Sequence, residues 1–462
     1  MDFAQTIAAI STAPGVGALA IVRMSGSKAV EITQSVFQSN QKSQSGQALK
    51  SHVAKHGYIC AGSNKEVIDE VVVTVYARPN SYTGEDVVEI SCHGNPLIAR
   101  RILALCLEKG ARLARPGEFT QRAFLAGKLD LTQAEAVLDL IQAKTSRGSQ
   151  VALSALQGDL GRQIKLIREN LKQLLTKIVA SIDFPDEVEQ LPEQQIGKVV
   201  EENLIKLTSL AATAASGKYL REGLKLAIIG RPNAGKSSLL NRLLQVERAI
   251  VTNIPGTTRD SLEEDLDING IPVTLIDTAG MRTTKDVLEQ IGIERTKQVV
   301  ADSELVLLVA DSSEGWQREE EEIVISIGDK PWFLLWNKID LLKEQPRQLE
   351  GNSPTNRAIA HCSLSAKTGQ GIGELAEQIE AWVFNQGQSA EKGASLNTRQ
   401  SVLCHSAMGA LHQVKTALET GLPHDCLTTD LKTALDCLSE IDGAAVSEEV
   451  ITSIFANFCL GK

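Results

Sequence analysis

The spacing of apolar and polar positions changes three times along the chain, and each change predicts a different kind of structure. Up to residue 127 the apolar runs are short and β-branched; Ala18–Val22, Val71–Val75 and Val87–Ile90 predict strands. Within the same block, Leu97, Arg101, Ile102, Leu105 and Cys106 recur at helical spacing and predict a helix over Pro96–Lys109. The block is α+β by pattern. From Leu131 to Gly217 the period is helical: Leu153, Leu156, Leu160, Ile164, Ile167, Leu171, Leu174, Leu175 and Ile178 share it. Pro185 and Pro192 interrupt it and predict a turn around Phe184–Leu191. Strand-like runs then alternate with helical ones: Leu224–Ile229, Val273–Ile276, Leu305–Ala310 and Trp332–Trp336 predict a doubly wound parallel sheet. After Asn385 the helical period returns in Val402–Leu418, Asp430–Ile441 and Glu448–Phe458.

Four blocks follow: 1–127, α+β; 128–221, helical; 222–384, α/β; and 385–462, helical. The economical arrangement joins the second and fourth blocks into one discontinuous helical bundle with the third inserted. Two separate bundles are the alternative, although three helices make a short independent core.

Length and charge narrow the functional classes. A chain of 462 residues has room for about three domains of ordinary size. The net charge of −10 excludes a globally basic nucleic-acid coat. By block the net charge is +3, 0, −9 and −4. With 43% hydrophobic and 23% charged residues, the composition is that of a folded protein. The 8 cysteines are scattered without a CxxC pair, which argues for reduced thiols and against a zinc ribbon. Phe3–Val22 carries no charge, but Asp2 precedes it and Pro14, Gly15 and Gly17 break it, so it does not read as a leader. No apolar run approaches a membrane span of about 20 residues. A cytoplasmic protein is expected.

The chemistry concentrates in the third block. Gly230-Arg-Pro-Asn-Ala-Gly-Lys-Ser237 fits GxxxxGK[ST] between a predicted strand and a predicted helix. In that setting backbone N–H groups close around phosphates, Lys236 reaches the β and γ oxygens, and Ser237 can ligate Mg²⁺. Asp277-Thr278-Ala279-Gly280 ends a strand on a carboxylate, as suits a magnesium-supporting acid and a glycine amide that senses the γ-phosphate. Asn337-Lys338-Ile-Asp340 follows a buried strand. Asp340 can accept from the N1–H and the 2-amino group of guanine, donors that adenine lacks, which selects GTP over ATP. Amides of Ser365, Ala366 and Lys367 could receive the guanine carbonyl. The nucleotide site expected from these motifs comprises Asn233, Ala234, Gly235, Lys236, Ser237, Ser238, Thr252, Asn253, Ile254, Pro255, Gly256, Thr257, Thr258, Asp277, Thr278, Ala279, Gly280, Asn337, Lys338, Asp340, Ser365, Ala366 and Lys367. Thr258, in a switch-like Gly256–Asp260 loop, is the expected second hydroxyl ligand of Mg²⁺.

Hydrolysis needs two further parts. Met281 stands where many GTPases carry a water-orienting glutamine, so Arg282, Asp286 and Glu289 become the candidates; Glu289 reads equally as a carboxylate at a helix start. Positive charge against the transition state can come from an arginine finger or from a monovalent cation. Asn233, with backbone carbonyls of Thr252–Thr258, could hold such a cation, or it could serve only as a left-handed loop residue. The acidic stretch Glu319–Glu322 reads as a solvated helix face.

Taken together, GRPNAGKSSL, TNIPGTTRD, DTAGMR, EQIGIER, NKID, IVRMSG, SYTGEDVVEISCHGN, RPGEFTQRAFLAGKLDLTQAEAVLDLI and the terminal Cys459-Leu-Gly-Lys462 resemble the tRNA-modification GTPase family MnmE, also called TrmE. The resemblance covers essentially the whole chain. It implies an N-terminal α+β domain (1–127) that binds tetrahydrofolate and dimerises, a discontinuous helical domain (128–221 and 385–462) and an inserted P-loop G domain (222–384). It implies K⁺-stimulated GTP hydrolysis on G-domain dimerisation, with Glu289 catalytic, Ser237 and Thr258 on Mg²⁺, and Asn233, Thr252, Ile254 and Thr257 on K⁺. Arg23, Glu89, Lys128 and Lys462 would bind 5-formyl- or 5,10-methylene-tetrahydrofolate, the basic groups meeting the tail carboxylates and Glu89 the pterin edge. The implied activity is installation of a carboxymethylaminomethyl or aminomethyl group at C5 of the wobble uridine of tRNA. The implied assembly is a homodimer acting with an FAD-containing, MnmG-type partner in a heterotetramer or larger complex. Cys459 reads either as a reactive thiol or as a buried structural one. The competing class is a GTPase switch or ribosome-assembly factor, which would be expected to append a basic RNA-binding module where this chain has a tail of net −4.

Overall fold

The computed structural model describes residues 5–40, 49–62, 64, 66–246, 264–276, 297–342, 357–385 and 395–462. They are mixed α/β with a helical domain, and they fall into two compact units. The first comprises residues 1–138, 161–168 and 435–462; the second comprises 139–160 and 169–434.

The first unit is built on β1 (Ile7–Ile10), β2 (Leu19–Ser25), β3 (Phe37–Ser39), β4 (Ala54–Ala61), β5 (Glu66–Tyr76), β6 (Val87–His93) and β7 (Arg112–Leu113). Their order in the sheet is β3-β4-β5-β6-β2-β1-β7, antiparallel except for β1 with β7. Period-two alternation explains the two faces. Val22 and Met24 of β2, Val71, Val73 and Val75 of β5, and Val88 and Ile90 of β6 join one core with residues of α1 (Ala29–Val36) and α2 (Pro96–Glu108). Arg23 and Glu89 alternate with those core residues and sit directly opposite each other across the β2–β6 pair.

The RPGEFTQRAF stretch forms α3 (Glu118–Leu125) and an ion network. Glu118 is fully buried. Its carboxylate accepts from Arg112 Nη2 at 2.6 Å, Arg112 Nη1 at 3.0 Å, the Arg115 amide at 2.9 Å and Arg122 Nη2 at 3.2 Å. Arg122 also donates to Glu85 at 2.9 Å, and Ser25 donates to the same oxygen at 2.6 Å. The helix α14 (Glu448–Ala456) belongs to this unit, as does α4 (Leu131–Gln142) up to Leu138. The chain end lies against its first strands: Ser11 Oγ donates to the Gly461 carbonyl at 3.0 Å, and the Phe119 amide to the Lys462 carbonyl at 3.1 Å.

The second unit carries the other sheet: β8 (Leu224–Gly230), β9 (Glu264–Ile268), β10 (Ile271–Leu275), β11 (Leu305–Asp311), β12 (Trp332–Asn337) and β13 (Ala360–Ser363). The order is β13-β12-β11-β8-β10-β9, parallel apart from the β9–β10 edge hairpin. β11 is buried on both faces: Leu305, Leu307 and Val309 enter one core, Val306, Leu308 and Ala310 the other. This explains its unbroken apolar run. Helices α9 (Lys236–Val246), α10 (Arg318–Ile327) and α11 (Ile372–Asn385) accompany the sheet. The predicted strand at Val273–Ile276 lies two residues earlier at its start, and β9 and β13 were not predicted. Both are edge strands of only 5 and 4 residues, too short to establish a period.

The remaining helices are α5 (Ser146–Leu156), α6 (Asp159–Asp183), α7 (Glu193–Ala212), α8 (Ala214–Glu222), α12 (Thr398–Glu419) and α13 (His424–Asp442); α4, α6 and α13 each have residues in both units. α12, after the sheet in sequence, packs on α7, before it; Lys415 meets Glu201 at 2.8 Å and Cys404 Sγ lies 3.6 Å from the Leu207 carbonyl. The helical domain is therefore discontinuous and the P-loop domain inserted. Among the described residues, no helix is long and apolar enough to cross a membrane.

The buried network at Glu118 has a measurable pH signature. Burial opposes its charge, but Arg112, the Arg115 amide and Arg122 outweigh burial and hold the carboxyl down to about 2 from an ordinary 4.5. A lowered folded-state value stabilises above 4.5 and is lost as pH falls toward 2. Glu118→Gln is expected to cost about 3 kcal/mol at neutral pH, because it leaves buried arginine charge uncompensated. Urea denaturation from pH 7 downward would show the variant and the parent converging toward pH 2.

Candidate functional site

The nucleotide-type motifs meet at the carboxyl ends of β8, β11 and β12, where an open parallel sheet leaves a crevice. Gly230 ends β8, Lys236 opens α9, and Asn337 ends β12. Asn337 is 1% exposed. Its Nδ2 donates to the Ala234 carbonyl at 2.8 Å, and its Oδ1 accepts from the Ala366 amide at 3.0 Å. One side chain thus ties the phosphate loop to the Ser365–Lys367 loop. Gly235 makes this approach possible: with φ at +98°, a Cβ there would lie 2.1 Å from Asn337 Nδ2.

Asp340 sits in a short 3-10 turn, Ile339–Leu341, and its Oδ1 accepts from Ser365 Oγ at 2.6 Å. Lys338, at φ +66°, donates to Asp311 Oδ2 at 2.6 Å. Burial opposes the Asp311 charge, but Lys338 and Ser313 hold its carboxyl below the usual range. Of the three amides expected to receive a base carbonyl, Ser365 N–H is engaged by Gln370 O at 2.9 Å and Ala366 N–H by Asn337.

Lys236 Nζ donates to the carbonyls of Gly230 at 2.7 Å and Arg231 at 2.6 Å. Burial pushes its ammonium down to about 8. A dehydrated cation held by neutral carbonyls at a helix N-terminus fits an anion, and phosphate oxygens would restore the charge. Asn233 has φ of +64°, the left-handed geometry that its loop position requires. Ser237 and Ser238 follow on the first turn of α9. Thr252, Asn253, Ile254, Pro255, Gly256, Thr257, Thr258, Asp277, Thr278, Ala279, Gly280 and Glu289 lie outside the described residues, as do Met281, Arg282 and Asp286. Among the described residues no group of three or more His, Cys, Asp or Glu could hold a metal.

A second cluster occupies the first unit. Arg23 donates Nη2 at 2.7 Å and Nε at 3.0 Å to Glu89 Oε1, and Tyr76 OH reaches Glu89 Oε2 at 3.4 Å. The guanidinium lies 5.7 Å from the Phe119 ring centre and 6.0 Å from that of Tyr82. Lys462 belongs to this cluster: burial and then the charge of Arg23 lower its ammonium. Lys128 lines a cleft with Phe124, Asp130, Gln133, Asp442 and Gly443. The cluster has the donors and aromatic faces that an anionic, ring-bearing ligand needs.

Two sequence expectations are corrected. Glu319–Glu322 is not a uniformly solvated face, since Glu320 is fully buried and bonded to Arg231. Cys459 is exposed, which removes the buried-thiol reading. Arg242 on α9 was not singled out, yet it donates to the carbonyls of Ala366, at 3.1 Å, and Lys367. An arginine on the polar side of a helix carries no local signal for such a role. Asp311 could have been found, because it ends the apolar strand β11 on a carboxylate.

Two family models match the chain: the GTP-binding protein TrmE N-terminus over residues 6–128 and the MnmE helical domain over residues 131–459. The chain belongs to the MnmE family. Proteins called tRNA modification GTPase MnmE are similar along their whole length. Those of Enterococcus faecalis and Moorella thermoacetica are each 44% identical, covering 100% and 99% of this chain and 99% of their own. That of a Nostoc species is 43% identical over 100% of both chains. Among solved structures, the G domain of the Thermotoga maritima FeoB iron transporter aligns with 34% of this chain and 98% of its own, at 27% identity and a TM-score of 0.24.

Asn337→Ala would leave the Ala234 carbonyl and the Ala366 amide unpartnered in buried positions. The expected cost is about 3 kcal/mol, read as a lower denaturation midpoint of the second unit.

Proposed function

We propose that this chain is a GTPase of tRNA modification that, with an FAD-containing MnmG-type partner, installs a carboxymethylaminomethyl or aminomethyl group at C5 of the wobble uridine. The observation that carries the reading is Asn337, which joins a phosphate loop to a base-facing loop beside Asp340 in a chain of the MnmE family. The names of its relatives support the tRNA part.

In this reading Lys236 exchanges two carbonyl acceptors for β and γ phosphate oxygens. Asp340 accepts from the guanine N1–H and 2-amino group, and Ser365 orients its carboxylate. Ser237 and Thr258 would hold Mg²⁺; Asn233, Thr252, Ile254 and Thr257 would hold K⁺. These ions supply positive charge against the charge that develops in phosphoryl transfer. Glu289 orients the attacking water. Arg23, Glu89, Lys128 and Lys462 would hold a reduced folate, which supplies the one-carbon unit. The protein works as a cytoplasmic homodimer, and hydrolysis drives its conformational cycle.

Nucleoside analysis of tRNA from cells lacking this protein should show wobble uridines without the C5 substituent; an unchanged profile overturns the tRNA reading. GTP turnover should be faster in K⁺ than in Na⁺ at equal ionic strength. Glu289→Ala should keep GTP affinity and lose most of kcat. Equal rates in the two salts would remove the cation from the mechanism, and an unimpaired variant would remove Glu289.

A further inference from the structure

A buried carboxylate outside the recognised motifs grips the phosphate loop. Glu320 lies in the first turn of α10 and is fully buried. One of its oxygens accepts from the Gln317 amide at 3.0 Å and closes the capping box of α10. The other accepts from Arg231 Nε. Arg231 Nη2 lies 3.1 Å from Glu314, whose side chain is more than half exposed and contributes little anchoring by comparison. Arg231 directly follows Gly230, so it is the first variable residue of the phosphate loop. Its carbonyl accepts from Lys236 Nζ at 2.6 Å and from the Ala234 amide at 3.3 Å. Arg231 is thus held at both ends: its side chain by a helix next to the loop, its carbonyl by the residues that would face phosphate.

We propose that Glu320 is a positioning residue for nucleotide binding, acting through Arg231 to fix the first turn of the phosphate loop. The pair has a second feature of a positioning device. A buried ion pair adds little net stability over apolar residues of similar volume, whereas its geometry is well specified. The proposal rests on the reading of this site as a GTP site. It makes GDP and GTP suffer together when the pair is lost, because both place their β-phosphate in the same turn.

The experiment uses the full chain and fluorescent GDP and GTP analogues with magnesium. Removing one partner alone risks unfolding by stranding a buried charge, so the single variants Glu320→Gln and Arg231→Met are accompanied by the double Arg231→Met/Glu320→Met, which removes both charges. Each is checked for folding by thermal melt. The double variant is expected to fold like the parent yet bind both nucleotides about tenfold more weakly. Where the singles fold, their effects on the dissociation constant should be similar in size and not add in the double. A folded double variant with parental affinity for both nucleotides overturns the proposal, as does strict additivity of the singles. Loss of affinity for only one of the two nucleotides overturns it too. If the parent chain itself takes up neither nucleotide, the GTP reading fails.

Discussion

One amide side chain sets the distance between the two halves of the nucleotide site. Asn337 spends its donor on the phosphate loop and its acceptor on the Ser365–Lys367 loop, and it is buried while doing so. Neither loop can shift without stranding a polar group out of reach of water. Other features of the crevice are arranged around this tie. Gly235 is left without a side chain to let the tie pass, Asp340 is steadied by a hydroxyl from the far loop, and Arg242 holds that loop from below through two carbonyls. The parallel sheet delivers these groups because its strands end together on one edge, while cores on both faces keep them in register.

The first unit solves a different problem with a different device. Strand register makes Arg23 and Glu89 neighbours, and the return of the chain end makes Lys462 their companion. Around them an arginine-rich network closes on Glu118, so this polar region is stiffened by charge and not by apolar packing alone. Both groups are paired: Arg23 bonds Glu89 beside the rings of Phe119 and Tyr82, whereas Glu118 gathers three arginines in full burial.

Much of this was legible in the sequence, and the gaps have physical causes. The buried strands of the P-loop sheet and the long helices announce themselves by period, as does the phosphate loop by its glycines between strand and helix. Edge strands β9 and β13 do not, because five and four residues are too few to establish a period. Glu320 was misread because composition treats four consecutive glutamates alike, although on a helix only one of them points at the core. Arg242 was invisible for the opposite reason: its partners are carbonyls, which every residue has. Lys462 and Arg23, some 440 positions apart, could be associated only through resemblance, since nothing local connects them.

The neck of the inserted domain shows how such a chain is built. Ser395 Oγ donates to the Thr213 carbonyl at 2.9 Å, and Arg221 grasps the carbonyls of Ser395 and Leu396. A Cβ on Gly217 would fall 1.5 Å from Ser395 Oγ, so the outgoing and returning segments are pressed together. To the helices outside, the whole α/β domain is a lariat knotted at its base. Closing a lariat costs conformational entropy that grows only with the logarithm of its length. The helical scaffold can therefore carry a large appendage at this point almost as easily as a short turn, and the appendage can change size without disturbing the helices that bear it.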